Sequence, residues 1–268
     1  MFLNDEEVSV EAAATRLTPG DRVRYWPDRP GSARVPVTTT GALAIVYEDA
    51  SLIVVNKPPG LLTVPLERRS GATSVQEQLR DYLRRQHRRA YVVHRIDRDT
   101  SGLVMFAKSE AMQVELKGQF RRREPERLYW AVVYGHPSPS AGTWSDHLVW
   151  DERALIQKET HPGDPRAAAA ECHYRVLERF ADTSLIEVRL VTGKRNQIRI
   201  QARLRGHTLV GEQRYTYGPS ELRPIRFSRQ ALHARRLRFA HPIDGHEIVV
   251  EAEPPEDFAR LLASLRAR

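Results

Sequence analysis

Apolar runs of strand length recur through this chain without alternating with helices in a regular beat. Leu43–Tyr47, Leu52–Asn56, Leu103–Ala107, Leu128–Tyr134 and Thr183–Leu190 are rich in residues that favour extended backbone. Helical period shows in three places. Ser74 to Arg85 puts Val75, Leu79, Tyr82 and Leu83 on one face behind a Ser74/Glu77 capping-box pattern. Ser109 to Phe120 spaces Met112, Leu116 and Phe120 four apart, and Phe258, Leu261, Leu262 and Leu265 form a stripe after Pro254-Pro255. A doubly wound fold needs a helix between successive strands, and these spacings do not supply it. The chain is therefore read as α+β, a mixed, largely antiparallel central sheet with flanking helices.

Residues 41–268 are expected to form the main domain, and residues 1–40 a small unit and linker. In the small unit, Glu7–Val10 and Asp21–Trp26 read as two short strands around the turn Leu17-Thr18-Pro19-Gly20. A Pro-, Gly-, Ser- and Thr-rich linker runs from Pro27 to about Gly41. No stretch approaches the ~20 apolar residues of a membrane span. Met1–Glu7 lacks the basic-then-apolar layout of a secretory signal, so a cytoplasmic location is expected. Cys172, the single cysteine, alternates with Tyr174 and Val176 and reads as a packing residue, with no disulfide or thiolate metal cluster available. The ten histidines show no His-Glu-x-x-His spacing, and no complete phosphate loop or G-x-G-x-x-G turn is present, so neither a metal nor a nucleotide cofactor is expected.

The formal charge is +8, and only five of the 42 basic residues are lysine. Arginine's planar fork suits phosphate oxygens and stacks on bases, which points to a polyanionic partner, with RNA or DNA first. Codon bias would account for arginine over lysine, but less well for the positive balance. Within this basic chain, His94-Arg95-Ile96-Asp97-Arg98-Asp99-Thr100-Ser101-Gly102 sets one carboxylate, Asp97, between cations, where a strand is expected to end and a polar turn to begin. Cationic neighbours favour the ionised form that a nucleophile or base needs. The same residues would equally serve to organise a tight turn through side-chain to backbone hydrogen bonds.

That segment resembles the H-R-L-D-x-x-T-S-G signature of the RluA-type RNA pseudouridine synthases, with Ile96 at the leucine position. Five further segments resemble the family in the same order. Leu52-Ile53-Val54-Val55-Asn56-Lys57-Pro58-Pro59-Gly60 is similar to its first block. Arg127-Leu128-Tyr129-Trp130-Ala131 through Gly135 is similar to its K-x-Y-x-A-x-x-x-G strand, with Arg127 replacing lysine. Leu190 through Arg199 is similar to its L-x-T-G-R-x-H-Q-I-R block, with Lys194 and Asn196 at the usual arginine and histidine. Gly206–Gln213, with Glu212 where aspartate is common, and Ala231 through Pro242 are similar to its closing blocks. The resemblance spans roughly Ala44 to Pro255 and implies the pseudouridine synthase fold, with uridine isomerised in ribosomal or transfer RNA by a cofactor-free enzyme. It implies that Asp97 is the essential carboxylate, that Tyr129 stacks on the uracil and helps proton transfer, and that Arg199 pairs with Asp97. The first unit resembles the closing half of an S-four-type RNA-binding domain without its helical half.

The expected RNA contacts are Arg95, Lys57, Lys194, Arg195, Asn196 and the run Arg121, Arg122 and Arg123. A monomer is expected. The alternative reading is a non-catalytic RNA-binding or ribosome-assembly factor that keeps the fold.

Overall fold

The computed structural model describes residues 43–65, 73–215 and 225–268, together with four short strands within the first 42 residues. The chain divides into two compact units, Met1–Arg34 and Val35–Arg268. In the first, β1 (Phe2–Leu3) pairs antiparallel with both β2 (Glu6–Glu7) and β3 (Val23–Arg24). Glu7 and Val23–Arg24 fall within the two expected strands. Residues 8–10 lie outside the described residues.

The second unit runs β4 (Thr38–Thr40), β5 (Leu43–Glu48), β6 (Leu52–Lys57), α1 (Val75–Arg84), β7 (Tyr91–Val92), β8 (Ser101–Ala107) and α2 (Glu110–Arg122). It continues β9 (Glu126–Tyr134), β10 (Ala141–Asp151), β11 (Ile156–Thr160), β12 (Ala168–Arg179), β13 (Thr183–Leu190) and α3 (Gln197–Leu204). It closes with β14 (Leu232–Ala240), β15 (Glu247–Glu251) and α4 (Glu256–Arg266). The strands form one sheet in the order β11-β10-β12-β13-β9-β14-β8-β6-β5-β4, with β15 added on β14 and β7 on β8. Every pairing is antiparallel except β14 with β8, so the sheet is mixed and largely antiparallel. Thr38–Thr40, assigned to the linker by composition, is an edge strand on β5.

Leu52–Val55 of β6 and Leu103–Ala107 of β8 are apolar at every position because both sheet faces are covered. Ile53, Val55, Val104 and Phe106 pack on one face with Leu79 and Leu83 of α1. Leu52, Val54, Leu103 and Met105 pack on the other, with Leu116 of α2 and Leu237, Phe239 and Ile248 of the β14–β15 hairpin. A third cluster sets Phe258, Leu261, Leu262 and Leu265 of α4 against Val132 and Leu185. The Ser74/Glu77 capping box forms as its spacing requires: Ser74 Oγ accepts from Glu77 N at 3.2 Å, and Ser74 N donates to Glu77 Oε2 at 2.9 Å. Cys172 is fully buried beside Tyr174. Among the described residues, no helix is long and apolar enough to cross a membrane.

One parallel pairing brings the loop after β7 to the middle of the sheet. Gly102 opposite Ala234 has φ +110, and a Cβ there would lie 2.3 Å from the Ala234 carbonyl oxygen. Only glycine lets the two backbones approach this closely.

Candidate active site

Asp97 does not end a strand. It sits in the irregular segment between β7 and β8, in a turn closed by Thr100 N donating to Asp97 O at 3.2 Å. The turn is thus made by backbone, and the Asp97 side chain is spent elsewhere. Several buried groups fix the segment. Thr63 Oγ1 donates to Ile96 O at 2.9 Å. Lys57 Nζ donates to Arg98 O at 2.7 Å, and also to Pro58 O and Leu61 O. Arg229 Nη1 donates to Asp99 O at 3.1 Å, while its Nε and Nη2 grip Asp257. His94 lies under the segment, stacked on Phe120 at 4.8 Å, with Nε2 accepting from Met105 N at 3.1 Å. Burial pushes its imidazole down to about 3, so it stays neutral with the proton on Nδ1.

Three elements then meet at the Asp97 carboxylate. Oδ2 accepts from Arg199 Nη1 of α3 at 3.0 Å and from Asn196 Nδ2, just ahead of α3, at 2.6 Å. Arg199 makes a second, bidentate pair with Glu212 at 2.7 and 2.7 Å. Glu212 has no side-chain exposure, Arg199 has 8 % and Asp97 has 26 %. Burial works against the Arg199 charge, but the hydrogen bonds and charge of Glu212, aided by Asp97, hold the guanidinium above its ordinary value. Burial likewise opposes ionised Glu212; Arg199 and the backbone N–H groups of Arg214 and Tyr215 bring its carboxyl below the usual range. Gly211 allows this placement: at φ +74, a Cβ would lie 2.0 Å from the Arg229 carbonyl oxygen.

The carboxylate faces a cavity of about 550 Å³. Tyr129 of β9 lines the cavity and also belongs to the core cluster. Burial pushes its phenol up, against the Arg127 charge, and keeps it protonated. Arg127 donates to Thr192 O at 3.3 Å and lies over the Phe120 ring. Arg95, Lys117, Arg121, Arg123 and Lys194 complete a cationic lining. Asp97, Tyr129 and Arg199 are therefore brought together, although 102 residues separate the ion pair.

The expected RNA contacts divide. Arg95, Arg121, Arg123 and Lys194 are exposed and line the cavity. Arg195 is exposed with its guanidinium 4.0 Å from the Trp150 ring centre, and it does not line the cavity. Two expectations are corrected, and a third residue lies apart from the cavity. Lys57 is fully buried and its ammonium serves three carbonyls, which leaves nothing for a phosphate. Asn196 is 9 % exposed and its amide is taken by Asp97. Arg122 pairs with Glu124 and Glu115 and lies outside the lining. The spacing arguments missed Arg229, Tyr215 and the role of Glu212; no local pattern links any of them to Asp97. Among the described residues, His241, Asp244 and His246 bring three ligand-type side chains together in the β14–β15 turn, away from the cavity lining.

The RNA pseudouridylate synthase family profile matches residues 51–204. The chain is 36 % identical to the dual-specificity RNA pseudouridine synthase RluA of Escherichia coli strain K12, over 81 % of this chain and 94 % of that protein. It is 37 % identical to the ribosomal large subunit pseudouridine synthase D of Zymomonas mobilis, over 83 % and 73 %. A human structure, RNA pseudouridylate synthase domain containing 4, shares the fold with a TM-score of 0.68 at 24 % identity, covering 83 % of this chain and 92 % of that one. A carboxylate held by a buried arginine in a cationic cavity, on this fold and with these relatives, makes the chain a member of the RluA-type RNA pseudouridine synthases, enzymes that isomerise uridine in RNA.

Proposed function

We propose that Asp97 is the reacting carboxylate and acts on a uridine turned out of its RNA into the 550 Å³ cavity. The supporting observation is a single carboxylate anchored by Arg199 and Asn196 at the wall of a cavity rimmed with arginine and lysine. Isomerisation breaks the bond from uracil N1 to the anomeric carbon, turns the base, rejoins it through C5 and releases the C5 proton. Ionised Asp97 serves each route: attack on the anomeric carbon, attack on uracil C6, or removal of a ribose proton toward a glycal. Arg199 pairs with it and keeps it aimed. Tyr129 stacks on the uracil and helps move a proton, and the cationic rim grips phosphates. The target is buried in a stacked helix until it is flipped, which costs about a few kcal/mol and less in a loop.

The substrate class is structured RNA, ribosomal, transfer or both. This agrees with the large-subunit ribosomal name of the Zymomonas relative and the dual specificity in that of the Escherichia relative. The enzyme works as a cytoplasmic monomer without metal or cofactor, and its first unit resembles the closing half of an S-four-type RNA-binding domain. Tritium release from RNA labelled at uracil C5 tests the reading: the wild type releases label and Asp97→Ala does not. Equal release by both proteins refutes the role of Asp97. No release by either on total RNA favours a binding factor that has kept the fold.

A further inference from the structure

Both donors to Asp97 fall on the same oxygen. Asn196 Nδ2 lies 2.6 Å and Arg199 Nη1 3.0 Å from Oδ2, and among the described residues no hydrogen bond reaches Oδ1. The orientation of the Asn196 amide is set from behind. Tyr215 is 2 % exposed, and its hydroxyl accepts from Gln157 N of β11 at 2.9 Å. That hydroxyl's own proton is thereby left for Asn196 Oδ1, at a longer 3.4 Å. A carbonyl oxygen facing Tyr215 obliges the NH₂ to face Asp97. The Tyr215 ring also lies beneath the Arg199 guanidinium, 5.4 Å away, so one buried tyrosine backs both donors.

The backbone supports the same assignment. Asn196 stands at the N-cap of α3 with φ 54 and ψ 23, the left-handed region that asparagine tolerates better than most residues. An N-cap asparagine ordinarily hydrogen-bonds its own helix. Here it makes no side-chain cap bond, and the amide goes to a carboxylate 99 residues away. With both ends of its amide engaged and only 9 % of the residue exposed, it is turned toward the carboxylate.

We propose that Asn196, oriented by Tyr215, is a positioning residue that ties down Oδ2 of Asp97 and leaves Oδ1 as the reacting oxygen. This rests on the reading of Asp97 as the reacting group. The test compares wild type, Asn196→Ala, the isosteric Asn196→Asp, Tyr215→Phe and Asp97→Ala. The probe is total RNA from cells lacking the protein, labelled with tritium at uracil C5; single-turnover release, filter binding of the same RNA and thermal melting are measured.

Asn196→Ala loses one hydrogen bond to a charged group and slows single turnover roughly 10- to 100-fold, with RNA affinity unchanged. Asn196→Asp keeps the volume but opposes two carboxylates, and it is slower than the alanine variant. Tyr215→Phe falls between wild type and alanine. Turnover losses that follow the melting temperatures, with alanine and aspartate equal, would make the role purely structural and overturn the inference. Lost RNA affinity at an unchanged turnover rate would overturn it too, making Asn196 an RNA contact. A wild-type rate in Asp97→Ala removes the underlying reading. An inactive Asp97→Ala beside a fully active Asn196→Asp removes this inference alone.

Discussion

Removing the Arg199 guanidinium should cost the fold more than any other single change at the site. Arg199 stands between two carboxylates, bidentate on Glu212 and single-pronged on Asp97. Arg199→Met keeps much of the stem's packing but leaves Glu212 charged at zero side-chain exposure. Breaking one side of such a buried pair costs roughly 3–5 kcal/mol. The N–H groups of Gln213, Arg214 and Tyr215 still donate to Glu212 Oε1, at 3.0, 2.8 and 3.4 Å, which favours the lower end of that range. At ~3 kcal/mol, and about 2–4 °C per kcal/mol for a domain of this size, the melting temperature falls by about 6–12 °C. Glu212→Gln in the same background removes the stranded charge and restores at least ~2 kcal/mol, a coupling that a double-mutant cycle in urea measures. Calorimetric melting gives the independent check. A single variant melting within about 2 °C of wild type, or strictly additive substitutions, refutes the argument.

Other outcomes follow from the same geometry. Burial holds the His94 imidazole at about 3 and the His233 imidazole at about 4, below the ordinary 6.5. The unfolded chain therefore binds protons that the folded chain refuses, so stability is lost as pH falls from about 6.5 toward those values and is insensitive to them above it. Urea midpoints should drop across that window and drop less in His94→Gln; level midpoints contradict the neutral, buried assignment. Gly102→Ala drives a Cβ toward the Ala234 oxygen and should cost at least ~2 kcal/mol in urea unfolding, while also lowering turnover by displacing the Asp97 segment. In a salt series of RNA binding, Lys194→Ala should flatten the slope by about 0.7–0.9, whereas Arg122→Ala, already paired with Glu124 and Glu115, should leave it unchanged.

Sequence alone determined the features that depend on near neighbours. The Ser74/Glu77 cap, the Phe258–Leu265 stripe and the doubly buried run Leu103–Ala107 all formed as their spacing required, because periodicity and capping act over a few residues. The succession of strands and few helices was enough for a mixed, largely antiparallel sheet. The ordered family segments marked Asp97, Tyr129 and Arg199, which share one cavity. Pairing across the sheet decided what each polar side chain does, and that information is not local. Lys57, Asn196 and Arg122 all read as RNA contacts from residue type and their place in or beside the family segments. Tertiary structure buried the first beneath the loop it staples, turned the second onto a carboxylate 99 residues away, and gave the third to neighbouring glutamates. A basic or amide side chain has the same sequence signature whether it meets phosphate, carbonyl or carboxylate. Only burial and the partner within about 3 Å distinguish them, and both are set when distant segments pack.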